Sequence, residues 1–420
     1  MRHSDRIKVR ARRTVTVLTA ALAGFALTGC DFMDELLEIE TPATIPAANL
    51  DGPEFADMLL SGAIGDFEAA FSSHILQQSL LAGELHDGTS SANRWMVPSR
   101  TVMYFDARYP EQSYTPLSKA RWTADNTLKL LQGWTDAQVP SRQLKIAQAA
   151  FYAGYNLVIL GESYCSMALD LSAEMTPQAV FQQAEARFTT AITAAQAAGS
   201  SGSTWLSASY LGRARARLNL GNGAGAAADA ALVPVGFKLD ATHSAANTRR
   251  YNYVYEETRT GNVSVTEPYW NLTVDGKADP RVPVLDMKRK AADGLTALMN
   301  QQLFLDRASP IPMARWEEAQ LIIAEVQGGT TAVNIINNLR TRRGLPGTYA
   351  GGTAAQIKDQ VIAERQRELF LDGHRLGDLR RYNLPFFPPV GQVYVKGGIY
   401  GDVKCFPIPA VEINANPNLR

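Results

Sequence analysis

The sequence predicts a mostly α fold: a scaffold of stacked helical pairs with loop and short-strand excursions. Three observations predict it. Apolar residues recur at helical spacing over several long stretches, and glycines and prolines fall at the ends of those stretches. One block, residues 233–312, breaks the pattern with β-branched, aromatic and turn residues. The chain has 420 residues, 46% hydrophobic and 20% charged, enough for a large buried core. Lys plus Arg and Asp plus Glu are both 41, so the net charge is zero and no basic stripe offers itself to a nucleic-acid backbone.

Basic residues crowd positions 2–13, and an apolar run follows from Val15 to Leu27. The run is too short to span a bilayer comfortably, and its basic flank predicts a secretory signal peptide over residues 1–29. Leu27-Thr28-Gly29-Cys30 resembles the lipobox of bacterial lipoproteins, in which the peptide is cut before the cysteine and that cysteine is lipidated. On that resemblance Cys30 carries the membrane anchor; otherwise the segment is a plain secretion signal that contains a cysteine. Residues 30–50 are expected to form a tether and residues 51–420 one domain, because no long Ser/Gly/Pro linker divides them. The two other cysteines, Cys165 and Cys405, lie beyond an export signal. They predict a disulfide closing a very long loop, with two buried free thiols as the alternative.

Helical repeats are expected over about 115–232 and 313–382. Leu117, Ala120, Ala124, Leu128 and Leu131 share a face that ends at Gly133. Residues 141–165 are apolar around most of the circumference, as a helix buried on several sides requires. Thr176-Pro177 supplies a cap and a first-turn proline for a helix closing on Gly199. From Trp205 to Leu232, small residues at Ala214, Ala226 and Ala230, with Leu218 and a turn glycine at Gly221, resemble the tetratricopeptide helical pair. Ala314–Leu345 repeats that scheme around Gly328-Gly329. Residues 233–312 read as loops and short strands, and residues 383–420 hold too much Pro and Gly for a helix.

Chemistry is scarce. Glu364 and Glu368 lie four apart in ERQRELFLDGHRLGDLRR and could be drawn as a glycosidase carboxylate pair, but the interleaved Arg365 and Arg367 favour the ionised form that a general acid must avoid. The spacing instead predicts ion pairs Glu364–Arg367 and Arg365–Glu368 along a solvated or interface helix. Asp372-Gly373 stops that helix, and a second one follows with Leu376 and Leu379 turned inward. There is no phosphate-binding loop, metal-spaced histidine pair or serine elbow, and His86 and His374 are isolated. No catalytic residue, metal or cofactor is predicted. Polar groups beside flat rings suit sugar faces and hydroxyls. Asp87, Asn93, Arg94 and Trp95 form one such set, and Tyr251, Tyr253 and Trp270, with Tyr255 and Tyr269, form another. For any single one of these rings, packing a loop onto the helices is the commoner role.

The segments PIPMARWEEAQLIIAEV, VNIINNLRTRRGLP, ERQRELFLDGHRLGDLRRY and CFPIPAVEINANPNL, in that order after the lipobox, resemble the RagB/SusD family of nutrient-uptake lipoproteins. The resemblance implies a SusD-like fold without enzymatic activity, anchored through Cys30 in the outer membrane and facing outward. It implies a SusC-like TonB-dependent barrel as partner and a glycan or peptide as cargo. It transfers no ligand residue, because the motif carries none. The alternatives are a surface glycoside hydrolase and a periplasm-facing assembly lipoprotein.

Overall fold

The computed structural model describes residues 51–420; the signal peptide, Cys30 and the tether lie outside the described residues. Twelve α-helices organise this part, and short strands fill the intervals. The first helix, α1 (Ala56–Ala82), runs through the centre of the molecule. Its second half is buried all round, including Ser72, His74, Gln77, Gln78 and Ser79, so it presents no amphipathic stripe. It ends on Gly83, in the left-handed conformation at φ 75°, and leads into β1 (Leu85–Asp87).

The first repeat region follows. A π-helical turn, Pro110–Tyr114, opens into α2 (Thr115–Gly133), whose predicted inward residues are all buried. Then come α3 (Arg142–Ser163), α4 (Pro177–Ala197), α5 (Ser203–Asn219) and α6 (Gly223–Ala230), each packed on its predecessor. Thr176 caps α4 by accepting from Ala179 N, as the Thr-Pro signal predicts. Small residues set the spacing. A side chain at Gly161 of α3 would sit 2.7 Å from the Phe181 ring, and one at Gly212 of α5 would overlap Phe188. The centre is an aromatic cluster in which Phe67, Phe71, Phe151, Tyr152, Tyr155, Phe188 and Trp205 lie ring to ring at 5.1–5.9 Å.

Residues 233–312 hold β2 (Lys238–Ala241), β3 (Val263–Val265), the two-residue strands β4 (Thr273–Val274) and β5 (Lys277–Ala278), and the hairpin β6 (Val284–Lys290) with β7 (Ala297–Gln301). They also contain α7 (Tyr253–Thr260), a helix that the aromatic, β-branched composition concealed; Asn252 caps it by accepting from Tyr255 N. β1 pairs antiparallel with β3, which fixes the loop after Asp87 against this block. β2 pairs with β8 (Ile311–Arg315), which opens the second repeat pair, α8 (Trp316–Gln327) and α9 (Gly329–Arg342).

The charged stretch forms α10 (Ala354–Glu368), a turn through Gly373, and α11 (Arg375–Arg381), on which Leu376 and Leu379 are buried. The expected pairs within α10 do not form, and its charged second half, from Val361, faces other elements rather than solvent. Glu364 is fully buried and accepts from Arg340 (2.8 and 2.5 Å), Arg281 (2.5 Å) and Gln360. Glu368 meets Arg315 and Arg343, Asp372 meets Arg315, Arg365 forks onto Asp378, and Arg367 reaches Asp279. The physical reason is the packing of α10 on α8 and α9. Its charges face guanidinium and carboxylate groups of other elements at fixed geometry, which a surface pair three residues apart cannot match.

The tail departs from expectation too. It has no regular structure until α12 (Ala410–Ala415), a six-residue helix that starts after Pro409, where a proline is tolerated. A disulfide joins Cys165, just after α3, to Cys405 across 240 residues, and Tyr164 pairs with Phe406 beside it. Arg100 adds a second fastening by donating to the carbonyls of Phe387, Pro388 and Gly401.

Candidate functional site

The predicted polar and aromatic residues fall on two sides of the loop that follows β1. Asp87 lies beneath that loop, fully buried. Its carboxylate faces Arg94 at 3.2 Å and Lys396 at 2.5 Å and accepts from Thr89. Lys396 also donates to the carbonyls of Asp87 and Thr89 at 2.7 and 2.5 Å, so the tail pins the loop. Burial pushes the Asp87 carboxyl above its ordinary value, and these cations oppose the shift. Asp87 is therefore an anchor whose oxygens are already engaged. Its neighbours are the groups that reach outward. Asn93 is exposed on the single turn Ala92–Arg94, and Trp95 is half-buried with Lys396 Nζ 5.9 Å from its ring centroid.

Arg94 links this loop to α7 by donating to Glu257 at 2.5 Å. Tyr253 and Glu257 are four residues apart and share one face of that helix. The ring of Tyr253 enters a groove of about 500 Å³ with Asp66 of α1, Glu111, Gln112, Lys119 and Arg249. Burial, and then the charge of Arg94, lowers Arg108 from its ordinary value, and Glu257, Asp87 and Glu111 oppose the shift. Tyr251 lies beside the groove and turns away from it: its ring stacks under the Arg307 guanidinium at 4.5 Å, and its carbonyl accepts from Ser72. The same Arg307, bonded to Glu256, holds that carboxyl down at about 2. Tyr255 is half-buried against the core and Tyr269 is buried, stacked on Phe370 at 4.7 Å.

Trp270 is not brought to this groove. It lies on the other side of β1, half-buried, and its Nε1 donates to Val265 O at 2.8 Å. There it lines a smaller cavity of about 180 Å³ with His86, Glu267, Phe387 and Tyr400. Burial, and then the charge of Lys396, lowers His86 to about 4, so its ring is neutral at physiological pH. Pockets that hold small organic ligands run to about 300–1,000 Å³. The groove at Tyr253 falls within that range and the cavity at Trp270 below it. Asp66, Glu111, Lys119 and Arg249 were not predicted. They come from three separated segments, α1, the continuous run from Pro110 into α2, and the turn before α7, and only Arg249, two residues before Tyr251, stood near a predicted ligand residue.

The groove at Tyr253 holds two carboxylates, Asp66 and Glu111, and Asp66 already accepts from Lys119 and Thr123. Glu84 is raised to about 7 by burial, but it lines neither cavity, being 1% exposed just past the end of α1 and bonded to Ser79. Among the described residues no cluster of three or more metal-ligating side chains is present, and no helix is long and apolar enough to cross a membrane.

Residues 318–420 match the family model described as the SusD family. No curated protein sequence matches the chain. Solved structures with the same fold include a SusD superfamily protein from Bacteroides vulgatus, 16% identical, with 87% of this chain and 97% of that one covered at a TM-score of 0.68. A SusD-like carbohydrate binding protein from the same organism is 14% identical over 88% and 97% at 0.67. Surface glycan-binding protein A from Bacteroides thetaiotaomicron, in complex with laminarihexaose, is 13% identical over 87% and 98% at 0.66. The carboxy-terminal quarter of the chain thus matches the SusD family model, and the described residues share the fold of SusD superfamily structures.

Proposed function

We propose that this chain is a non-enzymatic, lipid-anchored glycan-binding protein of the outer membrane. It faces the cell exterior through Cys30 and passes its ligand to a SusC-like TonB-dependent barrel. The observation that carries the ligand class is the groove of about 500 Å³ in which the Tyr253 ring stands among carboxylate, amide, ammonium and guanidinium groups. The bound laminarihexaose of a protein with the same fold supports it. In this reading Tyr253 stacks on a sugar face, Arg249, Gln112 and Asp66 bond hydroxyls, and Arg94, Asn93 and Trp95 extend the surface along the loop. Trp270 serves as packing beneath it.

A non-enzymatic role accords with the burial of Glu84 and Glu364 away from the groove, and with Glu368, which lines a separate cavity of about 350 Å³ but is held there by Arg315 and Arg343. A protein partner accords with the consecutive exposed residues Met103, Tyr104 and Phe105, at 48%, 50% and 58%, a few positions before the groove-lining Glu111. The test is calorimetric titration with a glycan panel including laminarihexaose. Tyr253→Ala should weaken binding about tenfold without lowering the melting temperature. Unchanged affinity in both Tyr253→Ala and Trp95→Ala would place the site elsewhere. Purification from the native membrane without a co-purifying barrel would remove the transport role.

A further inference from the structure

The repeat face carries a second concavity, between α2 and α4. It has a volume of about 430 Å³, and Trp122, Asn126, Lys129 and Gln132 of α2 line it together with Arg187 and Thr190 of α4. Trp122, Asn126 and Lys129 follow one another at i, i+4 and i+7, so one helix face presents them together. Trp122 is 55% exposed, whereas Trp316 is buried and Trp95, Trp134, Trp205 and Trp270 are all partly buried.

The polar groups around the ring are ordered in advance. Asp170 receives both terminal nitrogens of Arg121 at 2.7 Å, and Arg121 also meets Asp125 at 3.3 Å. Asp125 in turn receives Arg187 Nε at 2.6 Å. That chain fixes the Arg187 guanidinium and leaves its two terminal nitrogens for another acceptor. The Asn126 and Gln132 amides and the Lys129 ammonium have no partner among the described residues. Arg121 Nε, in the groove wall, has none either. Three cations face two carboxylates, a near balance that offers little to a polyanion. One flat ring ringed by unspent donors and acceptors also offers little to an apolar helix, which would need several apolar contacts. The chemistry matches a neutral polyhydroxylated chain: one apolar ring face to cover, and hydroxyls on its edges.

We propose that this groove is a second saccharide site, in which Trp122 stacks on one sugar ring and Asn126, Gln132 and Arg187 bond its hydroxyls. The ligand class rests on the glycan reading of the protein, whereas the site shares no residue with the groove at Tyr253. The test uses protein labelled with 5-fluorotryptophan, whose six tryptophans give resolvable fluorine resonances. Trp122→Phe identifies the Trp122 line, and laminarihexaose and maltohexaose serve as probes. The Trp122 line should shift saturably, should still do so in Tyr253→Ala, and should need roughly three- to tenfold more saccharide in Asn126→Ala.

A Trp122 line that stays fixed while the Trp95 line moves overturns this proposal and leaves the first site standing. A Trp122 shift abolished by Tyr253→Ala overturns it as well, because the ring would then be reporting the first site. If no line moves with any neutral saccharide, both readings fall. A line that moves only on addition of a membrane protein partner makes Trp122 an interface residue and ends the second-site proposal.

Discussion

Replacing Glu364 with Gln tests the physical account of the charged stretch. The carboxylate is fully buried and accepts from Arg281, Arg340 and Gln360. In Glu364→Gln, Arg281 keeps Asp279 at 2.7 Å, but Arg340, 7% exposed, loses the one carboxylate it touches. A buried guanidinium left without a counter-ion costs about 3–5 kcal/mol. With a urea m-value of about 3 kcal/mol/M, the unfolding midpoint should fall by roughly 1 M or more. Asp286→Asn, which breaks the exposed pair with Lys288, is the control and should leave the midpoint unchanged. A fall below about 0.3 M for Glu364→Gln, or an equal fall for the two variants, would show that the stretch is a solvated charged surface after all.

Three further outcomes follow from the geometry. Cys165→Ser or reduction should lower stability by about 5 kcal/mol in the chain-entropy model for a loop of this length, read by calorimetry, with intact mass confirming the lost bond. The Glu84 carboxyl is raised to about 7 from 4.5, so its contribution is full below pH 4.5 and is lost as the pH rises through 7. Glu84→Gln should therefore gain on the wild type by up to about 3 kcal/mol between pH 4.5 and 8, and denaturant curves with a pH-independent difference would exclude that carboxyl as the cause. Gly83→Ala should cost at least about 1 kcal/mol, because φ there is 75° and the new Cβ would overlap the Phe387 carbonyl; an unshifted melting temperature would contradict the placement of that turn.

The elements most legible in the sequence were those whose partners are local. Leu117 to Leu131 and the Thr176-Pro177 cap state their own periodicity and ends, and the structure repeats both. Helix α1 was illegible for the opposite reason. Burial on every side erases the amphipathic period, and polar residues such as His74 and Gln78 are tolerated because neighbours satisfy them, His74 through Ser113 and Ser163. The charged stretch gave its helices and its glycine turn but not its partners, since Arg281, Arg315 and Arg340 come from three other elements. The disulfide was legible from an even pair of cysteines beyond a predicted export signal. Of the residues lining the groove, Tyr253 carries side-chain chemistry in plain view, whereas Asp66 and Lys119 acquire a place there only once α1 and α2 are packed.

Glu364, Glu368 and Asp372 gather arginines that arrive from positions 281, 315, 340 and 343, so the lengths of chain between those arginines are free variables. A segment can be extended or exchanged so long as it returns the next guanidinium to the same carboxylate. The exposed turn at Ala245-Ala246 lies before the first of these returns. It is thus a natural place to splice in a foreign loop or a reporter peptide. The same logic makes the family of shapes reachable from this scaffold wide, and the ligand surface can be rebuilt without redesigning what holds the molecule together.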